Sequence, residues 1–226
     1  MSKRIFKSGA ALLAVATFTM AAPASAAQQA GAGGPHTPAD YAAIGRLPEI
    51  DGVWEGVGGG MITPNAAPMT PEAAAKFAKY RAGQAANEIQ DYETANCIPP
   101  GFLINMAMPY PIELLVTPGK VTMVLEAFTQ VRHIYTDGRP MPADPDLTYN
   151  GTSVGHWEGD TLVVESTGFL PEMDLAWGLS HGDKLKIVER MRLVEPDKLE
   201  VQFTINDPSV LTAPWVRTQT FQRRRT

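Results

Sequence analysis

LKIVERMRLVEPDKLEVQFTI, residues 185–205, decides the fold by its alternation. Leu185, Ile187, Glu189, Met191 and Leu193 share one face of the first run, and Lys186, Val188, Arg190 and Arg192 share the other. Strand side chains point alternately to opposite faces, so this is a half-buried strand whose core face holds a single carboxylate, Glu189. Pro196-Asp197 interrupts the run and Leu199–Ile205 resumes it, which predicts an antiparallel hairpin.

The same grammar extends in both directions. Strand-forming runs occur at Val121–Phe128, Val131–Tyr135, Thr161–Thr167 and Trp215–Phe221, with an earlier one at Asp51–Val57. Turn signals stand between them at Pro118-Gly119, Asp137-Gly138, Asn150-Gly151 (read as a hairpin turn) and Glu158-Gly159-Asp160. The chain is therefore read as mostly β, an antiparallel up-and-down meander of about eight strands. A lone sheet would leave one face and two edges bare, and closure into a barrel removes them. One short helix is predicted near 70–82, with Thr70 as N-cap, Pro71 at the first helical position and Glu72 in the first turn. Residues 83–110 have no clean period but contain Phe102, Leu103, Ile104, Met106, Met108 and Tyr110. They read as a long N-terminal lid or plug packed on the barrel.

The first residues have a secretory layout. Lys3, Arg4 and Lys7 precede an apolar run from Gly9 to Met20, and Ala24-Ser25-Ala26 is a small-x-small cleavage site. The expected organisation is a signal peptide at 1–26, a flexible leader at 27–48 and a single barrel domain at 49–226, in the periplasm or secreted. No Cys stands at the cleavage junction, so no membrane anchor is expected. The formal net charge is −5, and loss of the signal's three basic residues makes the chain more acidic still. A nucleic-acid binder must neutralise phosphates, so that class is excluded. Cys97 is the only Cys, which rules out an intrachain disulfide and reads as a small buried hydrophobe.

Alternation also sorts the polar residues. In Val131–Tyr135 the face with Val131, His133 and Tyr135 is the more apolar and is expected inside, leaving Gln130, Arg132 and Ile134 outside. In the neighbouring runs the inner sets are Val121, Met123, Leu125 and Ala127, with Glu126 outside, and Leu162, Val164 and Ser166. His133, Tyr135 and Glu189 then converge in an apolar interior, as a proton-transfer site or as a satisfied polar cluster. Tyr110, Tyr149, Trp177 and His181 lie on connections that could form the mouth. The His residues lack ligand spacing, so no metal is expected, and no P-loop or GxGxxG is present to hold a cofactor.

Five stretches carry a resemblance. They are Cys97-Ile98-Pro99-Pro100-Gly101, Pro109-Tyr110-Pro111-Ile112-Glu113, Val131-Arg132-His133-Ile134-Tyr135-Thr136-Asp137-Gly138-Arg139, Ser153–Leu162 and Ile187-Val188-Glu189-Arg190. Together the chain resembles a family of exported bacterial proteins, mostly uncharacterised. Two positions depart from that pattern: His133 stands where a second Arg is usual, and Thr152 where a His is usual. The resemblance implies export and a lipocalin-like β-barrel. It also carries an association with cofactor-free decarboxylation of phenylcoumaran-type lignin dimers. In that chemistry a base takes a phenol proton, a benzylic ether oxygen leaves as a quinone methide forms, and the carboxylate departs as carbon dioxide. Tyr135 or His133 would be the base, His181 the acid, and Arg132 the carboxylate holder if its register places it inside.

The leading reading is therefore a cofactor-independent lyase, decarboxylase-type, acting on a phenolic aromatic acid. The alternative is a non-catalytic carrier of a hydrophobic ligand. A third is an interaction module using the Met-rich 102–108 segment. The expected partner is a small aromatic or hydrophobic ligand, and a homodimer is compatible with the sequence.

Overall fold

The computed structural model describes residues 36–57, 66–89 and 97–225. The signal peptide, its cleavage site and the leader up to residue 35 lie outside the described residues. The strands are β1 (Gly52–Val57), β2 (Ile112–Thr117), β3 (Lys120–Leu125), β4 (Gln130–Tyr135), β5 (Thr152–Glu158), β6 (Thr161–Thr167), β7 (Asp174–Ala176), β8 (Leu179–Ser180), β9 (Lys186–Glu195), β10 (Lys198–Asn206) and β11 (Trp215–Arg223). Nine of them close a barrel in the order β1-β11-β10-β9-β6-β5-β4-β3-β2, and β7 and β8 form a small separate hairpin. The hairpin read first is β9–β10, with Glu189 opposite Phe203 and Met191 opposite Val201.

Neighbours in the barrel pair antiparallel with one exception. β4 and β5 run parallel and meet only through Ile134–Ser153 and Tyr135–Val154. A parallel pair needs a crossover, so residues 136–151 carry the chain back along the barrel before β5 begins. Asn150-Gly151 is accordingly not a hairpin turn. It closes a local turn in which the Gly151 amide donates to the Thr148 carbonyl. Gly151 has φ +65, and a Cβ there would lie 2.6 Å from the Phe169 ring.

Three α-helices accompany the strands among the described residues: α1 (Pro38–Ile44), α2 (Pro71–Ala85) and α3 (Phe102–Ala107). α2 starts as expected, with the Thr70 hydroxyl accepting from the Ala73 amide at 3.2 Å. α1 occupies part of the stretch read as a flexible leader. A full capping box forms it, since Thr37 caps the Asp40 amide and the Asp40 carboxylate reaches back to the Thr37 amide at 2.7 Å. None of its residues is buried.

α3 is the plug. Phe102, Leu103, Ile104 and Met106 are fully buried, and Phe102 stacks on Phe169 at 5.8 Å between ring centroids. Each such side chain stabilises the closed end by about 1.5–3 kcal/mol. Gly101 opens the helix at φ +83, where a Cβ would sit 2.1 Å from Met173 Cγ. Met108 is half-buried and Tyr110 is exposed. Cys97 is exposed rather than buried, at a left-handed φ of +54.

Candidate functional site

Because β4 and β5 share only two paired positions, they splay apart, and a half-open groove of about 340 Å³ lies between them. Gln130, Val131, Arg132, His133 and Tyr135 of β4 form one bank, and residues 148–153 the other, Tyr149 and Asn150 among them. Four residues singled out from sequence, Arg132, His133, Tyr135 and Tyr149, thus meet in one place. That place is an outer groove, not the barrel interior.

The face assignment of β4 is the correction behind this. Arg132 and Ile134 are buried, while His133 is exposed and Tyr135 half-buried. Pairing with β3 sets the register: Met123 lies opposite Arg132 and Val121 opposite Ile134, all inward, while Thr122 faces His133 and Lys120 faces Tyr135 outside. Counting apolar side chains favoured the Val131 face, but Val131 is 49 % exposed. The legible signal was Glu189. A lone buried carboxylate calls for a cation, and Arg132 supplies it.

Glu189 points inward as expected and is fully buried, as is Arg132. The guanidinium holds the carboxylate from two nitrogens, Nη1 on Oε1 at 3.0 Å and Nη2 on Oε2. Its Nε donates to Ser153 Oγ at 3.0 Å and Nη2 also to Ser166 Oγ at 2.8 Å, and the two hydroxyls bond each other at 2.9 Å. Its cation rests on the Phe102 ring, 4.2 Å from the centroid. This bidentate, hydroxyl-backed pair makes a rigid, overall neutral floor beneath the groove.

The banks are more reactive. Burial first, and then the Lys120 ammonium, hold the His133 imidazole below the usual histidine range. His133 is therefore a neutral ring at neutral pH, with Nδ1 3.3 Å from Thr122 Oγ1. Its ring lies 6.4 Å from that of Tyr135, which in turn carries the Arg139 guanidinium at 3.9 Å. On the far bank Asn150 donates from Nδ2 towards Gln130 Oε1 and the Val131 carbonyl, both at 3.4 Å. Its Oδ1 is buried and accepts nothing among the described residues. From sequence Asn150 reads as a turn residue beside Tyr149 at the mouth, and nothing in the sequence marks that oxygen.

The remaining candidates lie elsewhere. His181 borders a separate apolar cleft of about 320 Å³ with Leu147, Phe169, Pro171 and Leu185. Its Nδ1 is 2.6 Å from the Gly182 carbonyl and its Nε2 2.9 Å from that of Leu170. Both ring nitrogens thus lie within hydrogen-bond distance of backbone carbonyls, and the ring sits between the two stems of the β7–β8 excursion. Trp177 lies in the turn of that hairpin and Tyr110 on the approach to β2, and neither lines the groove. Glu126 is exposed at the end of β3. Among the described residues no three His, Cys, Asp or Glu side chains gather as metal ligands would.

No family model and no curated protein matches the chain. Among solved structures it is similar to the fluorescent protein UnaG, with 14 % identity over 77 % of this chain and 97 % of that one, at a TM-score of 0.37. The decarboxylase resemblance has no counterpart in these comparisons.

Proposed function

We propose that this chain is an exported barrel that binds a phenolic aromatic acid in the β4–β5 groove and acts there as a cofactor-independent lyase of the decarboxylase type. The observation that carries the reading is the meeting in one groove of Tyr135, Tyr149, Asn150 and His133, the last with its pKa lowered by burial and Lys120. His133 takes the phenol proton, and the resulting electron flow expels the benzylic ether oxygen, which Tyr135 protonates. Carbon dioxide then leaves from the substrate carboxylate, its bonding electrons restore the aromatic ring and form the stilbene, the resulting phenolate takes its proton back from His133, and solvent reprotonates Tyr135. Lys120, beside Tyr135 on the outer face, is the cation available to that carboxylate. Arg132 is not, because Glu189 already holds it.

His133→Gln tests the proposal. Turnover of a phenylcoumaran acid, followed by carbon dioxide release, falls about 10²-fold or more while binding and melting temperature stay near wild type. Undiminished turnover would remove His133 from the chemistry. One observation favours the carrier reading instead: the groove is half-open, whereas decarboxylation gains from a dry site. Saturable binding with no carbon dioxide release from the wild type would select it.

A further inference from the structure

The apolar cleft beside His181 shares no lining residue with the β4–β5 groove. Hydrogen bonds hold both of its walls. On one side Thr148 and Phe169 form a bridge, in which the Thr148 amide donates to the Gly168 carbonyl and the Leu170 amide to the Thr148 carbonyl, both at 3.0 Å. Gly168 has φ +74, and a Cβ there would lie 2.9 Å from Pro145 Cγ, so the glycine lets residues 145–147 pass close. On the other side the Gly182 amide donates to Oδ2 of the buried Asp207 at 2.6 Å. The cleft is therefore preformed and needs no occupant to shape it.

Its volume of about 320 Å³ falls within the roughly 300–1,000 Å³ span of small-molecule sites. Phe169 and Leu185 are buried lining residues, and the stacked Phe102 ring backs Phe169. Leu147 lines the cleft as well, yet it is 55 % exposed. A molecule lying against it takes apolar surface out of water. One carboxylate stands in the lining, that of Asp183, which is exposed and has no ion-pair or hydrogen-bond partner among the described residues. Lys184 and Asp146, next to lining residues in the chain, do not line the cleft.

We infer that this cleft binds a small organic cation, a protonated primary amine on a compact apolar body, with the body against Leu147, Phe169, Pro171 and Leu185 and the ammonium paired with Asp183. The apolar walls accept the body whatever its charge, and the unpaired carboxylate selects the sign. The same carboxylate disfavours organic acids of the kind proposed for the β4–β5 groove, so the two cavities take ligands of opposite charge.

The test is a two-dimensional NMR titration of the purified protein, at neutral pH and fixed salt, with three molecules of similar shape: benzylamine, which is an ammonium there, benzyl alcohol and sodium benzoate. Benzylamine gives saturable shifts at Leu147, Phe169 and Leu185, with His133 and Tyr149 unmoved. It binds roughly threefold or more tightly than benzyl alcohol, and benzoate binds more weakly than either. Asp183→Asn removes the advantage of the amine over the alcohol, and Leu147→Ala weakens both roughly threefold. Both side chains are exposed, and circular dichroism checks that each variant is folded. The ranking of the three molecules on the wild type decides even without the variants. No saturable shift at the cleft overturns the site. Benzyl alcohol bound as tightly as benzylamine, or an amine advantage that persists in folded Asp183→Asn, overturns Asp183 as the counter-ion. Benzoate bound more tightly than benzylamine overturns the cation.

Discussion

Arg132 shows how a strand face can be misread. Val131, His133 and Tyr135 carry more apolar surface than Gln130, Arg132 and Ile134, yet the second set faces the core. Alternation holds in both registers, and only the partners of the inward charge distinguish them. Glu189, Ser153 and Ser166 come from three other strands, so their convergence on Arg132 is visible only once the barrel is closed. Removing one member strands the other: Arg132→Met lowers unfolding stability by about 3–5 kcal/mol. The double variant Arg132→Met with Glu189→Leu recovers most of that loss in denaturant melts, since an apolar pair of similar size needs no counter-charge. A double variant no more stable than the single one would contradict this.

His133 makes a prediction in pH. Its folded-state pKa lies below the ordinary 6.5, because of burial and then Lys120. As pH falls through that value the unfolded chain takes up the proton first, so His133 withdraws stability on acidification and costs none at higher pH. NMR titration of the imidazole should give a midpoint below the free value, and Lys120→Gln should raise it. A midpoint above 6.5 in the wild type would contradict the assigned environment.

Among the elements, those set by local chemistry were legible. α2 begins at its Thr70-Pro71 signal, and β2, β4 and β5 end at their Gly-containing turns. The plug was legible from its apolar content, interrupted only by Asn105. α1 was not, because a composition typical of mobile chain hid the Thr37–Asp40 box. The parallel β4–β5 pair was not either, since turn signals mark where a chain bends and not which way its strands run. α3 depends on Gly101. Gly101→Ala meets both a left-handed φ of +83 and the Met173 side chain, so it should destabilise by about 1–3 kcal/mol in thermal or denaturant melts. A neutral substitution would mean that α3 does not seat against Met173.

At the scale of the whole molecule, the barrel interior is packed with side chains and the chemistry-bearing residues lie where closure is least complete. β4 and β5 are joined at two positions, while β9 and β10 pair along their length, and the groove follows from that difference. A phenolic site there predicts where a ligand is felt. The direct measurement is a two-dimensional NMR titration with 4-hydroxycinnamate, following assigned resonances across the barrel. The account predicts saturable shifts that move together at His133, Tyr135, Tyr149 and Asn150, with Val164 and Met191 unmoved. Saturable shifts confined to positions outside the groove, or none at the groove, would contradict it.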